Sequence, residues 1–341
     1  MDDRPFRVLR EMDINKERKI VAILKALNNA RRPLGSTHLA ETLQSFGINL
    51  SHRTVRHYLA LTDQLGLTCK RSERLGRKIT AKGEEELQNA LVVDKVGLIS
   101  SKIDALSYRM NFSIKKKSGP VLLNISLIDT RFIKDALKIM TPVFEKRLGM
   151  GQYITISGPG TPMGDFFVPE GKTAIGTICS VTLNGIFIHA GIPVVSKFGG
   201  LLDIYQGEPH RFTQIIHYDG SSLDPLEIFI KGHMTSVLDA VRTGRGLIGA
   251  SFREIPAVAL PEIRRLVRQL EGIGLGAVLM AGKPNQPLLD IPVVEGRAGI
   301  IVAGGLNPLA AVEESGIHTE NLAMGALFDF SRLMAYQDMN L

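Results

Sequence analysis

The chain has 341 residues, of which 44% are apolar, and a formal net charge of +7. That is enough apolar material for two or three packed domains, and it excludes wholesale disorder. Only two cysteines are present, Cys69 and Cys179, far apart in sequence. They give no disulfide framework and no metal-ligand spacing, and they suit a reducing cytoplasm.

The opening Met1-Asp2-Asp3 puts acids ahead of any apolar run, so no signal peptide is expected. No uninterrupted apolar run reaches the roughly 18 residues of a membrane span. The charge is concentrated at one end. Residues 1–80 hold 16 Lys/Arg and 8 Asp/Glu, a net of +8, leaving 25 and 26, a net of −1, for the remainder. A basic module joined to a near-neutral body points to a polyanionic partner.

In chain order, Ile20, Ile23, Leu24 and Leu27 fall at helical spacing. A second helix is expected through Leu39, Ala40, Leu43 and Phe46, ending at Gly47. Ser51 caps a third helix, with Val55, Tyr58 and Leu59 inward and Gly66 as its stop. Residues 67–80 then read as two short strands around a basic hairpin. Three helices and such a wing make a winged helix-turn-helix over residues 1–80, whose third helix enters the major groove of double-stranded DNA. Ser51, His52, Arg53, Thr54, Arg56 and His57 occupy the end that reaches base edges, with Arg53 and Arg56 able to bond guanine bidentately. Lys70, Arg71, Arg74, Arg77 and Lys78 of the wing are expected on phosphates.

A connecting helix is expected over residues 81–110. Val92, Val96, Ile99, Ile103 and Leu106 alternate steps of four and three, the seam of a short coiled coil. Two readings follow: a helix packed on its own chain, or a dimer contact pairing two winged helices on a two-fold operator.

Beyond it the chain repeats. At a constant offset of 125, Leu148–Lys172 matches Ile273–Arg297 with eight identities, including Glu170-Gly171 with Glu295-Gly296. Residues 111–334 therefore read as an internally duplicated α+β domain with lobes at about 111–217 and 236–334. Each copy has a strand (Val121–Ile128, Gly246–Phe252), an amphipathic helix, a second strand, a Pro/Gly loop, the Glu-Gly-Lys/Arg turn and a further strand. In the first copy that last strand runs from Ala174 to Val181, and more strands are expected at Ile186–His189, Leu201–Tyr205 and Phe212–Tyr218.

Catalytic motifs fail. Gly171-Lys172-Thr173 lacks the glycine that a phosphate-binding loop needs at position 166, which is Phe. No nucleophile elbow or zinc-protease motif occurs, and His189, His210, His217 and His233 have no ligand spacing. No enzyme, metal or cofactor is expected; the body reads as a sensor. The polar stretch Gly176–Gly185 offers Thr177, Cys179, Ser180 and Thr182 beside glycines, which suits a small polar ligand. Lys172, its repeat mate Arg297, and Arg131 are cations able to neutralise carboxylates. The plainer alternative is that these residues satisfy sheet edges and turns.

A winged helix leading into GPGTPMGDFFVPEGKTAIGTICSVTLNG, FGGLLDI and YDGSSLDPLEIFI resembles the archaeal nitrogen-assimilation repressor family, NrpR, over about residues 15–332. The resemblance implies a dimeric repressor of nitrogen-fixation and glutamine-synthetase genes, released from its operator by 2-oxoglutarate. It also implies that a second NrpR-type polypeptide can share the work. The alternatives are a winged-helix regulator of another metabolite and a DNA-tethered enzyme.

Overall fold

The structure is a computed structural model describing residues 14–30, 32–45, 48–72, 76–89 and 98–338. It forms two compact units. One runs through Ala105 and includes Asp165–Phe167; the other comprises Leu106–Gly164 and the chain from Val168 onward.

In the first unit, α1 (Ile14–Ala30), α2 (Ser36–Ser45) and α3 (His52–Gln64) precede β1 (Thr68–Ser72), β2 (Gly76–Ile79) and α4 (Ala81–Asn89). The helical spacing of Ile20, Ile23, Leu24 and Leu27 is realised as one buried face, packed with Leu39, Leu43, Val55 and Leu59. The Ser51 side chain caps α3 by accepting from the Thr54 N–H at 3.1 Å. Gly66 ends it at φ +72°, with Leu67 N–H donating to Thr62 O and Gly66 N–H to Asp63 O, a Schellman closure. Phe46 and Gly47, expected to end α2, lie outside the described residues, as do Val92 and Val96. Of the connecting seam, Ile99, Ile103 and Leu106 lie in α5 (Ile99–Arg109) and are buried within the single chain.

The second unit carries two five-stranded sheets. One has the order β13-β3-β7-β4-β14: β3 is Pro120–Asp129, β4 Tyr153–Ser157, β7 Lys172–Ile178, β13 Glu320–Asp329 and β14 Met334–Ala335. The chain between β4 and β7 holds the two-residue strands β5 (Pro162–Met163) and β6 (Phe166–Phe167), the latter counted with the first unit. The other sheet has the order β11-β12-β10-β8-β9: β8 is Val195–Tyr205, β9 Glu208–His217, β10 Gly246–Pro256, β11 Val278–Ala281 and β12 Arg297–Ala303.

The repeat governs this arrangement, but not as two self-contained lobes. β8 and β13 begin 125 residues apart, at Val195 and Glu320. Each leaves its own copy to pair with the first strand of the other, β8 with β10 and β13 with β3. The copies are thus strand-exchanged. The duplicated turn is an architectural corner in both: Gly171 and Gly296 take φ of +76° and +77°. Their carbonyls accept from Thr130 N–H and Ala257 N–H at the entrance to the following helix. Each copy is also clipped at the helix after its central strand. Thr182 Oγ1 bonds both the N–H and the C=O of Leu122. Asn307 accepts from Gly249 N–H at 2.8 Å and donates to Gly249 O and Leu148 O.

The structure corrects the reading of residues 177–189. β7 stops at Ile178, and Thr182–His189 is a helix, so neither the strand running to Val181 nor the one at Ile186–His189 exists. Leu183, Ile186 and Phe187 are buried, and a buried helix gives a continuous apolar run that periodicity cannot separate from a strand. The expected strands at Leu201–Tyr205 and Phe212–Tyr218 fall in or against β8 and β9.

Candidate functional site

The first surface to consider is the basic face of the first unit. On α3, Val55, Tyr58, Leu59 and Thr62 are buried, and His52, Arg53, Arg56 and His57 are exposed on the opposite face. Ser51 and Thr54 pair with each other at 2.9 Å, so their hydroxyls serve the helix start. Lys70 and Lys78 are exposed on the two wing strands. Arg74 and the Arg71 side chain lie outside the described residues. Arg77 departs from expectation: its Nε donates to Asp63 Oδ2 at 2.7 Å, and Thr68 donates to the other oxygen at 2.6 Å. The guanidinium therefore ties the wing to the end of α3 and is not held out for phosphate. Gly76 completes the wing base at φ +84°, where a Cβ would lie 2.1 Å from Leu34 O.

The second site lies inside the other unit and centres on a residue outside the sequence-derived set. Arg253, in the middle of β10, is 0% exposed. Its Nη2 donates to Ser180 Oγ at 2.9 Å, while its Nε and Nη1 are buried without partners. Burial pushes the guanidinium down to about 10, which leaves it protonated at neutral pH; the Tyr218 and Cys179 side chains are close enough to oppose that drop. No carboxylate pairs with it among the described residues. Ser251 precedes it by two on the same strand face, its buried hydroxyl beside that of Tyr218. Burial, with Asp224 nearby, pushes the Tyr218 phenol up, so it stays a neutral donor. Ser196 faces Arg253 across the β8–β10 ladder. It accepts from Asn184 Nδ2 at 2.9 Å, leaving Asn184 Oδ1 buried and unbonded.

Buried cations are normally paired. Unmatched donors on Arg253, with hydroxyl, phenol and amide groups around them, form a cradle for a small anion, best a carboxylate met by a guanidinium edge. Of the expected residues, Cys179 and Ser180 belong to this cluster. Thr182 is committed to its strand clip. Thr177 sits within β7 opposite Asn124 and Ile154, its hydroxyl buried and unpartnered. The three expected cations are elsewhere. Lys172 pairs with Glu320 at 3.2 Å. Arg131 pairs with Asp129 at 3.4 Å and lies over the Phe132 ring. Arg297 starts β12 opposite Pro256, on the face of the sheet away from Arg253. Arg253 had one sequence signal: Arg-Glu in the middle of an apolar run that reads as a central strand, where charges are rarely buried without a purpose.

Among the described residues no group of three His, Cys, Asp or Glu could hold a metal ion. No described helix is long and apolar enough to cross a membrane.

Comparison with known proteins places the chain. Residues 96–335 match the NrpR regulatory domains 1 and 2, and residues 21–87 match the ribonuclease R winged-helix domain. The global nitrogen regulator NrpRI of Methanosarcina mazei is 31% identical over 322 residues, 94% of this chain and 99% of that protein. The global nitrogen regulator NrpR of Methanococcus maripaludis is 29% identical over 92% of this chain, which spans 54% of that longer relative. A crystal structure of a nitrogen repressor-like protein from Methanococcus jannaschii superposes with TM-score 0.60 at 30% identity, covering 71% of this chain and 99% of that one. Both the regulatory-domain match and the near full-length relative lead to one conclusion: the chain belongs to the NrpR family of nitrogen-regulating transcriptional regulators.

Proposed function

We propose that the chain is a repressor that holds a double-stranded operator through its winged helix and is released by a dicarboxylate effector bound at Arg253, 2-oxoglutarate. The observation that carries this is the fully buried Arg253 guanidinium with two unpaired donor nitrogens, in a chain whose α3 exposes Arg53 and Arg56. One carboxylate of the effector takes the free guanidinium edge. Ser251, Tyr218 and Asn184 supply the remaining polar contacts. Arg53 and Arg56 read base edges, and Lys70 and Lys78 meet phosphates.

The working form in this reading is a homodimer on a two-fold operator. The effector releases DNA only if it binds better to the arrangement that misplaces the two winged helices. Operator binding at fixed salt, with and without 2-oxoglutarate, tests the reading. An unchanged affinity across the millimolar range removes 2-oxoglutarate as effector. No salt-dependent binding to any duplex removes the DNA-binding assignment.

A further inference from the structure

A second polar arrangement lies on the other face of the same strand. Ser251 and Arg253 point to one side of β10, so Phe252 and Glu254 point to the opposite side. There Phe198 and Phe252 stack at 5.3 Å and 7°, and His217 sets its ring edge-on to Phe198 at 5.8 Å. The β8–β10 register slips by one residue between Phe252 and Arg253: Phe252 faces Phe198, and Arg253 faces Ser196. Lys197 is the extra residue of this bulge, and a bulge re-aims its side chain. Lys197, Glu254, the two Phe rings and the segment Ile291–Val294 line a cavity of about 470 Å³, within the range of small-ligand sites.

Glu254 is only 4% exposed. Its Oε1 accepts from Val294 N–H at 3.3 Å. No cation among the described residues pairs with it. Lys197 lines the same cavity without reaching it. A buried carboxylate and an ammonium thus face one space across an apolar floor, and a buried charge calls for a partner.

The repeat shows that the fold does not need these charges. The strand clips and corners align β3 with β10 at an offset of 127, and β13 aligns with β8 at 125. The positions of Phe252, Glu254 and Lys197 are then held by Ile125, Leu127 and Leu322 in the other copy. One copy keeps a plain apolar wall where the other carries an acid and a base.

We infer that this cavity binds a free α-amino acid with an apolar side chain, its ammonium on Glu254, its carboxylate on Lys197 and its side chain on the Phe198–Phe252 floor. Isothermal titration of the full chain tests this, with phenylalanine and leucine as probes and phenethylamine and 3-phenylpropanoate as analogues that each lack one charge. At least one amino acid is expected to bind one per chain, with its single-charge analogues weaker by about tenfold or more. Glu254→Gln and Lys197→Met should each weaken binding to a similar degree while the melting temperature holds. Lys197 is half-buried at a bulge, so Lys197→Met decides the matter if Glu254→Gln fails to fold.

Binding should persist in saturating 2-oxoglutarate. Displacement by 2-oxoglutarate would put the amino acid at Arg253 and overturn the inference. So would no heat from either probe at about 10 mM, equal binding by an analogue, or wild-type binding by a folded variant.

Discussion

Replacing Arg253 with methionine separates an effector-binding role from a structural one, because the two predict opposite signs. In the ligand-free chain the buried guanidinium is a burden: burial pulls it well below the ordinary arginine value, to about 10, a cost on the order of 3 kcal/mol. Methionine has similar length and no charge. It loses only the 2.9 Å bond to Ser180, about 1 kcal/mol. Ligand-free Arg253→Met is therefore expected to be as stable as the wild type or more so, by up to about 2 kcal/mol.

The ligand response should vanish. Two charge-assisted hydrogen bonds from Nε and Nη1 at about 1.5–3 kcal/mol each amount to roughly 3–6 kcal/mol of effector affinity, a loss of more than about a hundredfold. Urea unfolding followed by circular dichroism, with and without 2-oxoglutarate, reads both quantities. At about a hundred times Kd the wild type should gain about 2.7 kcal/mol and the variant nothing. A variant that keeps the wild-type gain would rule out effector binding at Arg253. A ligand-free variant destabilised by more than about 2 kcal/mol would instead make Arg253 a structural post.

Three further outcomes are expected. Arg53→Ala and Arg56→Ala should each cost about 1–3 kcal/mol on the operator and relax base preference, while Lys78→Ala weakens all duplexes alike and lowers the salt slope by about 1; titrations at several salt concentrations distinguish them, and a uniform loss for either arginine would reassign it to phosphate. Asn307→Ala strands the buried Gly249 N–H and two carbonyls, so it should cost roughly 2–4 kcal/mol in urea unfolding; a change under about 0.5 kcal/mol would show the clip to be dispensable. Burial, with the Lys102 ammonium adding to it, lowers Lys25 to about 8 from 10.5. Between those values the unfolded chain binds more protons, so stability gained through Lys25 rises with pH. Lys25→Met should therefore be more stable than the wild type at pH 7, with its advantage shrinking above pH 8; an advantage that is constant with pH would show that Lys25 does not titrate there.

Local chemistry decided what was legible along the chain. The helical spacing of Ile20, Ile23, Leu24 and Leu27, the Ser51 cap and the Gly66 stop each act within a few residues, so they could be read directly. The repeat was equally visible, and both Glu-Gly corners adopt the same left-handed glycine. Lys172, Arg131 and Arg297 looked like ligand cations because sequence shows charge without showing partners. In the fold the first two meet Glu320 and Asp129, and the third lies on the opposite face of the sheet from Arg253. Arg77 likewise meets Asp63, fourteen positions earlier, which no local pattern indicates.

Composition, period and turn residues are local quantities, and they suffice for a basic winged helix, a duplicated α+β body and the lack of a recognised catalytic motif. Which buried charge is left with unmatched donors was set by packing alone. Strand exchange places Ser196 of one copy against Arg253 of the other, and the helix beginning at Thr182 brings Ser180 and Asn184 to the same point. Whether a guanidinium finds partners depends on everything folded around it, here on groups as far as 73 positions away in the chain, and not on any single stretch of sequence.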